Sequence, residues 1–453
     1  MNNAKAAAES PLEPADRTRA IALVGEALAA AHAAGASSAE ADLGLARGLS
    51  VTVRMGSVDT IEHHRSNGLS ITAYVGQRKG SATTNDLRPE VVRQTAAAAC
   101  SIARYASQDD CAGLVDPRHL ASALPDLDLH HPWALDTQAA MALATQAEAA
   151  ALGLDPRIGN SDGASVSSIE ALHAYANSHG LACAWPATRH AIACRAIAGP
   201  QDAMQRDAWY SAARRAGDLE PAEAVGRRAA QRALRRLGAR KPSTARLPVI
   251  FEAPVAASLF SHLLGAISGG AQYRQASFLL GALGNPVCAA WLDLREEPHL
   301  PRAAGSAPID ADGVATRAQP IVENGRLATY LLGAYSARKL GMAPTGNAGG
   351  VHNLVVPTGR DDLQALIGAQ ARAVLVTELL GFGVNATTGD YSRGASGFMI
   401  ENGAISHPIA EFTIAGNLRD MLMGITAIGA DVDTRGNIRT GSVLLQEMTI
   451  AGT

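Results

Sequence analysis

The sequence lacks any uninterrupted apolar run close to the 18 or so residues that a membrane-spanning helix needs, so no membrane partner is expected. Its opening, MNNAKAAAESPLEPADRTRA, has acidic groups and two prolines where a secretory leader would have a basic start and an apolar run. A cytoplasmic protein with a frayed tail is therefore expected. Cysteine is sparse: Cys100, Cys111, Cys183, Cys194 and Cys288 are widely spaced, with no CxxC pair to suggest a disulfide framework or a zinc ribbon. They read as buried thiols in a reducing compartment. Charge of one sign is also missing: a net −3 over 453 residues gives no general attraction to nucleic acid or to an anionic membrane. Aromatic residues make up only 4% of the chain. Against this stand 47% apolar residues and 44 glycines, the make-up of a compact, alanine- and glycine-rich fold. At this length more than one core is expected.

Familiar catalytic signatures are absent as well. No His-Glu dipeptide occurs, although a helix that holds a catalytic zinc usually pairs histidines with an acidic general base. His63 and His64 are adjacent in strand-like text, so their side chains point to opposite faces. His130 and His131 precede Pro132 in a loop and read as surface groups rather than ligands. GASGF (394–398) misses the GxSxG spacing and lies in strand text. Ser261 and His262 are neighbours on a helical stretch and do not face each other. No strand-to-helix GxGxxG is found, and GNAGG (346–350) lacks the Lys-Ser/Thr of a phosphate loop.

What is present is alternation of period. Helical spacing covers 17–34, 89–105 and 136–152, and Pro221 leads another helix. Strand-like alternation covers 49–55, 69–75 and 80–86, with SNG (66–68) and GQRKG (76–80) as the turns between, and resumes over 157–213. The text from Cys111 to His131 reads as a loop at a domain junction. ARKPSTAR (239–246) reads as a linker before the strand LPVIFE. Two hairpins, IVENGRLATYLL (321–332) and MIENGAISHPI (399–409), share Glu-Asn-Gly. Asn-Gly suits a two-residue type I′ turn, and the sharing hints at a duplicated unit. Arg227, Arg228, Arg232, Arg235 and Arg236 spread around one helix together with Glu223, which reads as a solvated face. LFSHLLGAISGG (259–270) is an apolar helical stretch with His262 in its middle. In TTGDYSRGASGFMIENG (387–403), the small residues Gly394, Ala395, Ser396 and Gly397 let another backbone approach. Asp390, Tyr391, Ser392, Arg393 and Gly394 are the candidate substrate-binding residues, at the border of a peptide groove. A glycine-weakened strand at a packed sheet junction fits the same letters.

The stretches SNGLSITAYVGQRKGSATTNDL (66–87), YSARKLGMAPTGNAGGVHN (335–353), VTELLGFGVNATTGDYSRGASGFMIENG (376–403) and EFTIAGNLRDML (411–422) together resemble the PmbA/TldE branch of the TldD/PmbA peptidase family, over about 39–452. The resemblance implies an α+β fold: a helix-flanked antiparallel sheet, then a curved antiparallel-sheet domain. Its parts would be a tail and first helix at 1–35, an N-terminal domain at 36–238 (subunits about 36–108 and 132–238) and a β-rich domain at 239–453. It further implies a dimer with a zinc-bearing TldD-like partner, or a homodimer, that degrades unfolded peptides and trims leader peptides. The zinc-bearing branch carries His-Glu-x-x-x-His and a distal cysteine. Aligned on Gly265, with the helix at 255–268, Ser261 stands at the first histidine, His262 at the glutamate and Ala266 at the second histidine; no cysteine lies beyond Cys288. One imidazole falls short of the three ligands a catalytic zinc needs. The expectation is a chain without its own zinc, inactive in isolation, with zinc in the partner.

Two other readings stay open. A regulatory protein acting on DNA gyrase, which the family's older label suggests, would use the arginine helix. A serine hydrolase would use Ser261, Ser392 or Ser396.

Overall fold

The computed structural model describes residues 14–452 and divides into two compact units. The first runs to Leu234 and includes Asp312–Ala315; the second comprises Arg235–Ala311 and the described residues from Thr316 onward.

The first unit contains α1 (Pro14–Ala33), β1 (Ser38–Arg54), β2 (Ser57–Val75), β3 (Arg78–Thr84), α2 (Pro89–Tyr105), α3 (Thr137–Leu152), β4 (Asn160–Asn177), β5 (Ala182–Ala198), β6 (Gln205–Ala213) and α4 (Ala222–Arg235). Its strands form one antiparallel sheet in the order β3-β2-β1-β4-β5-β6. Alternation fixes the register. Ala41, Leu43, Leu69, Ile71, Leu172 and Ala174 point to one face and are buried under Val24, Ala27 and Ala31 of α1 and Ala96 and Ala99 of α2. The loop-like text from Cys111 to His131 does not interrupt the sheet, because β1 and β4 pair directly from Glu40↔Asn177 to Val53↔Ala164.

SNG (66–68) is not a turn. Ser66, Asn67 and Gly68 lie inside β2 opposite Ala46, Leu45 and Gly44, and the chain reverses at Met55-Gly56, with φ of 49° and 74°. The buried Glu148 of α3 accepts both N–H groups of that turn at 2.8 Å. A contact from 92 residues away thus overrides a local turn signal. β3 pairs with β2 only from Leu69 to Val75, and among the described residues no strand pairs with the outer edge of Ser57–Gly68.

The second unit contains β7 (Ala245–Phe251), α5 (Ala253–Ala266), α6 (Gly269–Tyr273), β8 (Leu294–Glu296), β9 (Gln319–Glu323), β10 (Arg326–Leu327), α7 (Ala334–Lys339), β11 (Leu354–Val355), α8 (Leu363–Gly368), β12 (Arg372–Leu380), β13 (Asp390–Glu401), β14 (Ala404–Asn417), α9 (Leu418–Met423), β15 (Ile425–Ile428), β16 (Ile438–Arg439) and β17 (Val443–Ala451). The larger sheet has the order β14-β13-β12-β7-β17-β15, and β14 also pairs with β17, so five strands close into a ring. All its pairings are antiparallel except β7–β12. Register shifts in β12, β13 and β17 supply the curvature that closure demands. Val249, Phe251, Val374, Val376, Tyr391 and Ala395 turn to one face, against α5. Ile250, Ala373, Leu375, Phe398 and Ile400 turn to the other, with Leu366 and Ile367 of α8.

The two Asn-Gly hairpins turn as their sequence demands, with φ of 49° and 73° at Asn324-Gly325 and 52° and 76° at Asn402-Gly403. They lie in different sheets with different neighbours, and turn chemistry alone is enough to account for the shared Glu-Asn-Gly. No described helix is long and apolar enough to cross a membrane.

Candidate functional site

α5 begins with Pro254 in its first turn and buries Ala256, Leu259, Phe260, Leu263, Ala266 and Ile267 at three- and four-residue spacing. Each of the larger side chains contributes about 1.5–3 kcal/mol on burial. Ser261 and Gly265 remain on the exposed side, and His262 sits half-buried at the boundary. The carbonyl of Ala266, at the end of the helix, accepts from Gln272 Nε2 and Ser277 Oγ, both at 2.7 Å.

β13 brings the second set of residues to this helix. Successive strand side chains alternate, so Tyr391 and Arg393 share the α5 face while Asp390, Ser392 and Gly394 point away. The His262 and Tyr391 rings meet edge to face, 6.0 Å apart and at 79°. Burial pushes the Tyr391 phenol up to about 12, with Arg393, its hydrogen-bonding neighbour, working the other way. Burial, aided by the positive charge of Arg393, holds His262 below the usual imidazole range, so the ring is neutral at pH 7. Nε2 of His262 and Nε of Arg393 are shielded from solvent and have no hydrogen-bonding partner among the described residues.

The candidate substrate residues therefore split between two faces. Asp390 accepts from Thr388 Oγ1 at 2.6 Å within an exposed turn, and Ser392 donates its N–H to Gly383. The small residues at 394–397 do admit another backbone, but it is the chain's own: a Cβ at Gly397 would lie 1.9 Å from the Leu375 carbonyl of β12. With β12 on one side and β14 on the other, β13 has no edge left for a peptide over Gly394–Glu401.

The donors on α5 do not suit a catalytic zinc. Ser261, His262 and Ala266 offer a single imidazole, and Cys288 is buried with its thiol pushed up to about 12. Among the described residues no three His, Cys, Asp or Glu side chains come together to hold a metal ion. Cys100, Cys183, Cys194 and Cys288 are buried free thiols, and Cys111 is half-buried. His130 and His131 are not surface groups: His130 lies 2.5 Å from Glu170, which also pairs with Arg47, and His131 lies 3.0 Å from Asp128. His63 and His64 stay exposed on β2.

Of the arginines of the Pro221-led helix, Arg227, Arg228 and Arg235 are exposed, as a solvated face requires, while Arg232 and Arg236 are half-buried in ion pairs. Arg228 stacks 3.7 Å above Trp209, and Arg232 pairs with Asp207 at 3.0 Å. In the second unit Arg235 lies over Phe398, and Arg236 pairs with Glu378 at 2.6 Å. Of the serines considered as nucleophiles, Ser396 is buried. None of Ser261, Ser392 and Ser396 hydrogen-bonds a histidine among the described residues. Sequence reasoning missed the convergence of His262 with Tyr391 and Arg393; alternation in the strand and the boundary position of His262 were its only local signals.

The chain is an α+β protein whose apolar helix α5 is held against a curved sheet. Three family models cover it: PmbA/TldA metallopeptidase domain 1 at residues 40–103, the central domain at 130–237 and the C-terminal domain at 244–452. It is 45% identical to the metalloprotease PmbA of Escherichia coli O157:H7 over 91% of this chain and 92% of that one. A metalloprotease PmbA homolog of Haemophilus influenzae shows 45% identity over 92% of each chain. A crystal structure from Bacteroides thetaiotaomicron, named a candidate modulator of DNA gyrase, superposes with a TM-score of 0.90 at 29% identity, covering 95% of this chain and 98% of that one. TldE of Thermococcus kodakarensis shares the fold, with a TM-score of 0.83 at 21% identity over 95% of this chain and 100% of that one. The chain belongs to the TldD/PmbA metallopeptidase family, within its PmbA/TldE branch.

Proposed function

We propose that this chain is the non-catalytic subunit of a two-component metallopeptidase, acting in the cytoplasm on unfolded or leader peptides. A zinc-bearing, TldD-like member of the family supplies the metal, and this chain shapes the chamber and binds peptide. The observation that supports the reading is the donor set on α5: Ser261, His262 and Ala266 offer a single imidazole, and the family resemblance aligns them with the two imidazoles and the carboxylate of a zinc helix. His262 is turned instead toward Tyr391, as a packing and binding group.

Peptide contact by backbone pairing falls on unpaired edges such as the outer edge of β2 at Ser57–Gly68, while the half-buried Arg393 acts through its side chain and Tyr391, buried, supports it. Backbone pairing asks little of peptide sequence, which suits a broad substrate range. Reconstitution tests the reading. Cleavage of an unstructured peptide should appear only when the chain is mixed with a zinc-bearing TldD-like protein, and the two should co-elute. Equal cleavage by the zinc protein with and without this chain would remove the subunit role.

A further inference from the structure

We propose that Arg393 and His262 form a carboxylate-binding site beside the exposed face of α5, an inference that rests on the peptide-binding reading. Arg393 is half-buried on β13, its hydrogen bond to Tyr391 goes to a neutral phenol, and no carboxylate pairs with it among the described residues. A guanidinium withdrawn from water without a counter-charge is costly, and planar carboxylates are its natural partners.

The orphaned atoms point the same way. Nε of Arg393 and Nε2 of His262 lie on side chains that flank one tyrosine ring, and each is shielded yet unpartnered. An unmet shielded donor costs about 1–3 kcal/mol, and more than about 90% of buried polar groups are satisfied in native proteins. Two unmet groups in one cluster therefore signal an acceptor that arrives from outside. Neutral His262, with its proton on Nε2, donates one bond and Arg393 the other. Ser261 and Gly265 are exposed on the adjoining turn, and a Cβ at Gly265 would meet nothing within 4 Å. One cation and two donors suit a carboxylate, which a peptide offers at its C-terminus or on an acidic side chain.

The test uses the full chain and three forms of one short dye-labelled peptide: free C-terminal acid, amide, and amide with a single internal glutamate. Binding is read by fluorescence anisotropy. The free acid should bind about tenfold more tightly than the amide, a difference of about 1.4 kcal/mol. The advantage should vanish in Arg393→Gln and shrink in His262→Phe, with melting curves showing that both variants fold. If a variant unfolds, the contrast between acid and amide on the unaltered chain still decides. Tighter binding of the glutamate-bearing amide, with the plain acid no better than the amide, would assign the acidic side chain as the source. Equal binding of all three forms, or an advantage that survives Arg393→Gln, would overturn the site and leave peptide binding standing. Binding of none would contradict the peptide reading itself.

Discussion

Gly397 and Gly265 look alike in the sequence, each a glycine among small or apolar neighbours, yet their surroundings give them opposite sensitivities. A side chain at Gly397 would collide with the Leu375 carbonyl at 1.9 Å, so Gly397→Ala should cost about 2–4 kcal/mol, read as a lower denaturation midpoint. Gly265 lies on the open side of α5, so Gly265→Ala should leave stability unchanged or raise it by about 0.5–1 kcal/mol. A large loss at Gly265 would show that the helix face is not open. The letters gave a close backbone approach at 394–397, but not that β12 makes it. They also offered Asp390 to Gly394 as one set, where strand alternation divides them. The Arg393–His262 cluster was illegible because it joins residues 131 positions apart, and only packing reveals that.

Caps and turns account for which elements could be read and which could not. α3 starts at Asp136, whose side chain accepts from the Ala139 N–H at 2.7 Å, a local signal fully visible in the sequence. α2 likewise begins at Pro89. Asp136→Ala should cost about 1 kcal/mol. The β1–β2 turn is different in kind, since Met55-Gly56 is secured by the buried Glu148. Glu148→Ala should cost more, about 2–3 kcal/mol, because two N–H groups lose their acceptor. Urea unfolding of the two variants would compare them, and an Asp136 effect larger than the Glu148 effect would contradict the ranking. The long reach of β1 and β2 was hidden for the same reason: SNG carries a local turn signal that register across two strands outweighs.

Global stability of the second unit should carry the signature of its buried carboxylate. Glu296 is fully enclosed; burial pushes its pKa up, but hydrogen bonds from His352, Asn347 and Gln319 outweigh that and hold it below the ordinary value of 4.5. The folded state thus favours the ionised form. The contribution is present in full above about pH 4.5 and is lost as pH falls through the lowered native value. Melting temperature should drop over that window, and Glu296→Gln should flatten the drop while destabilising the protein at neutral pH. An unchanged acid limb in the variant would contradict this. At the level of the whole chain, the α+β architecture and the family were legible because long stretches match; the closed ring of strands was not, since β14–β17 pairing joins distant segments. The central claim, that α5 is a zinc helix emptied of its ligands, is tested most directly by metal analysis of the purified chain alone, with a peptide-cleavage assay on the same sample. The account predicts far less than one zinc per chain and no chelator-sensitive cleavage. One zinc per chain together with chelator-sensitive cleavage would contradict it.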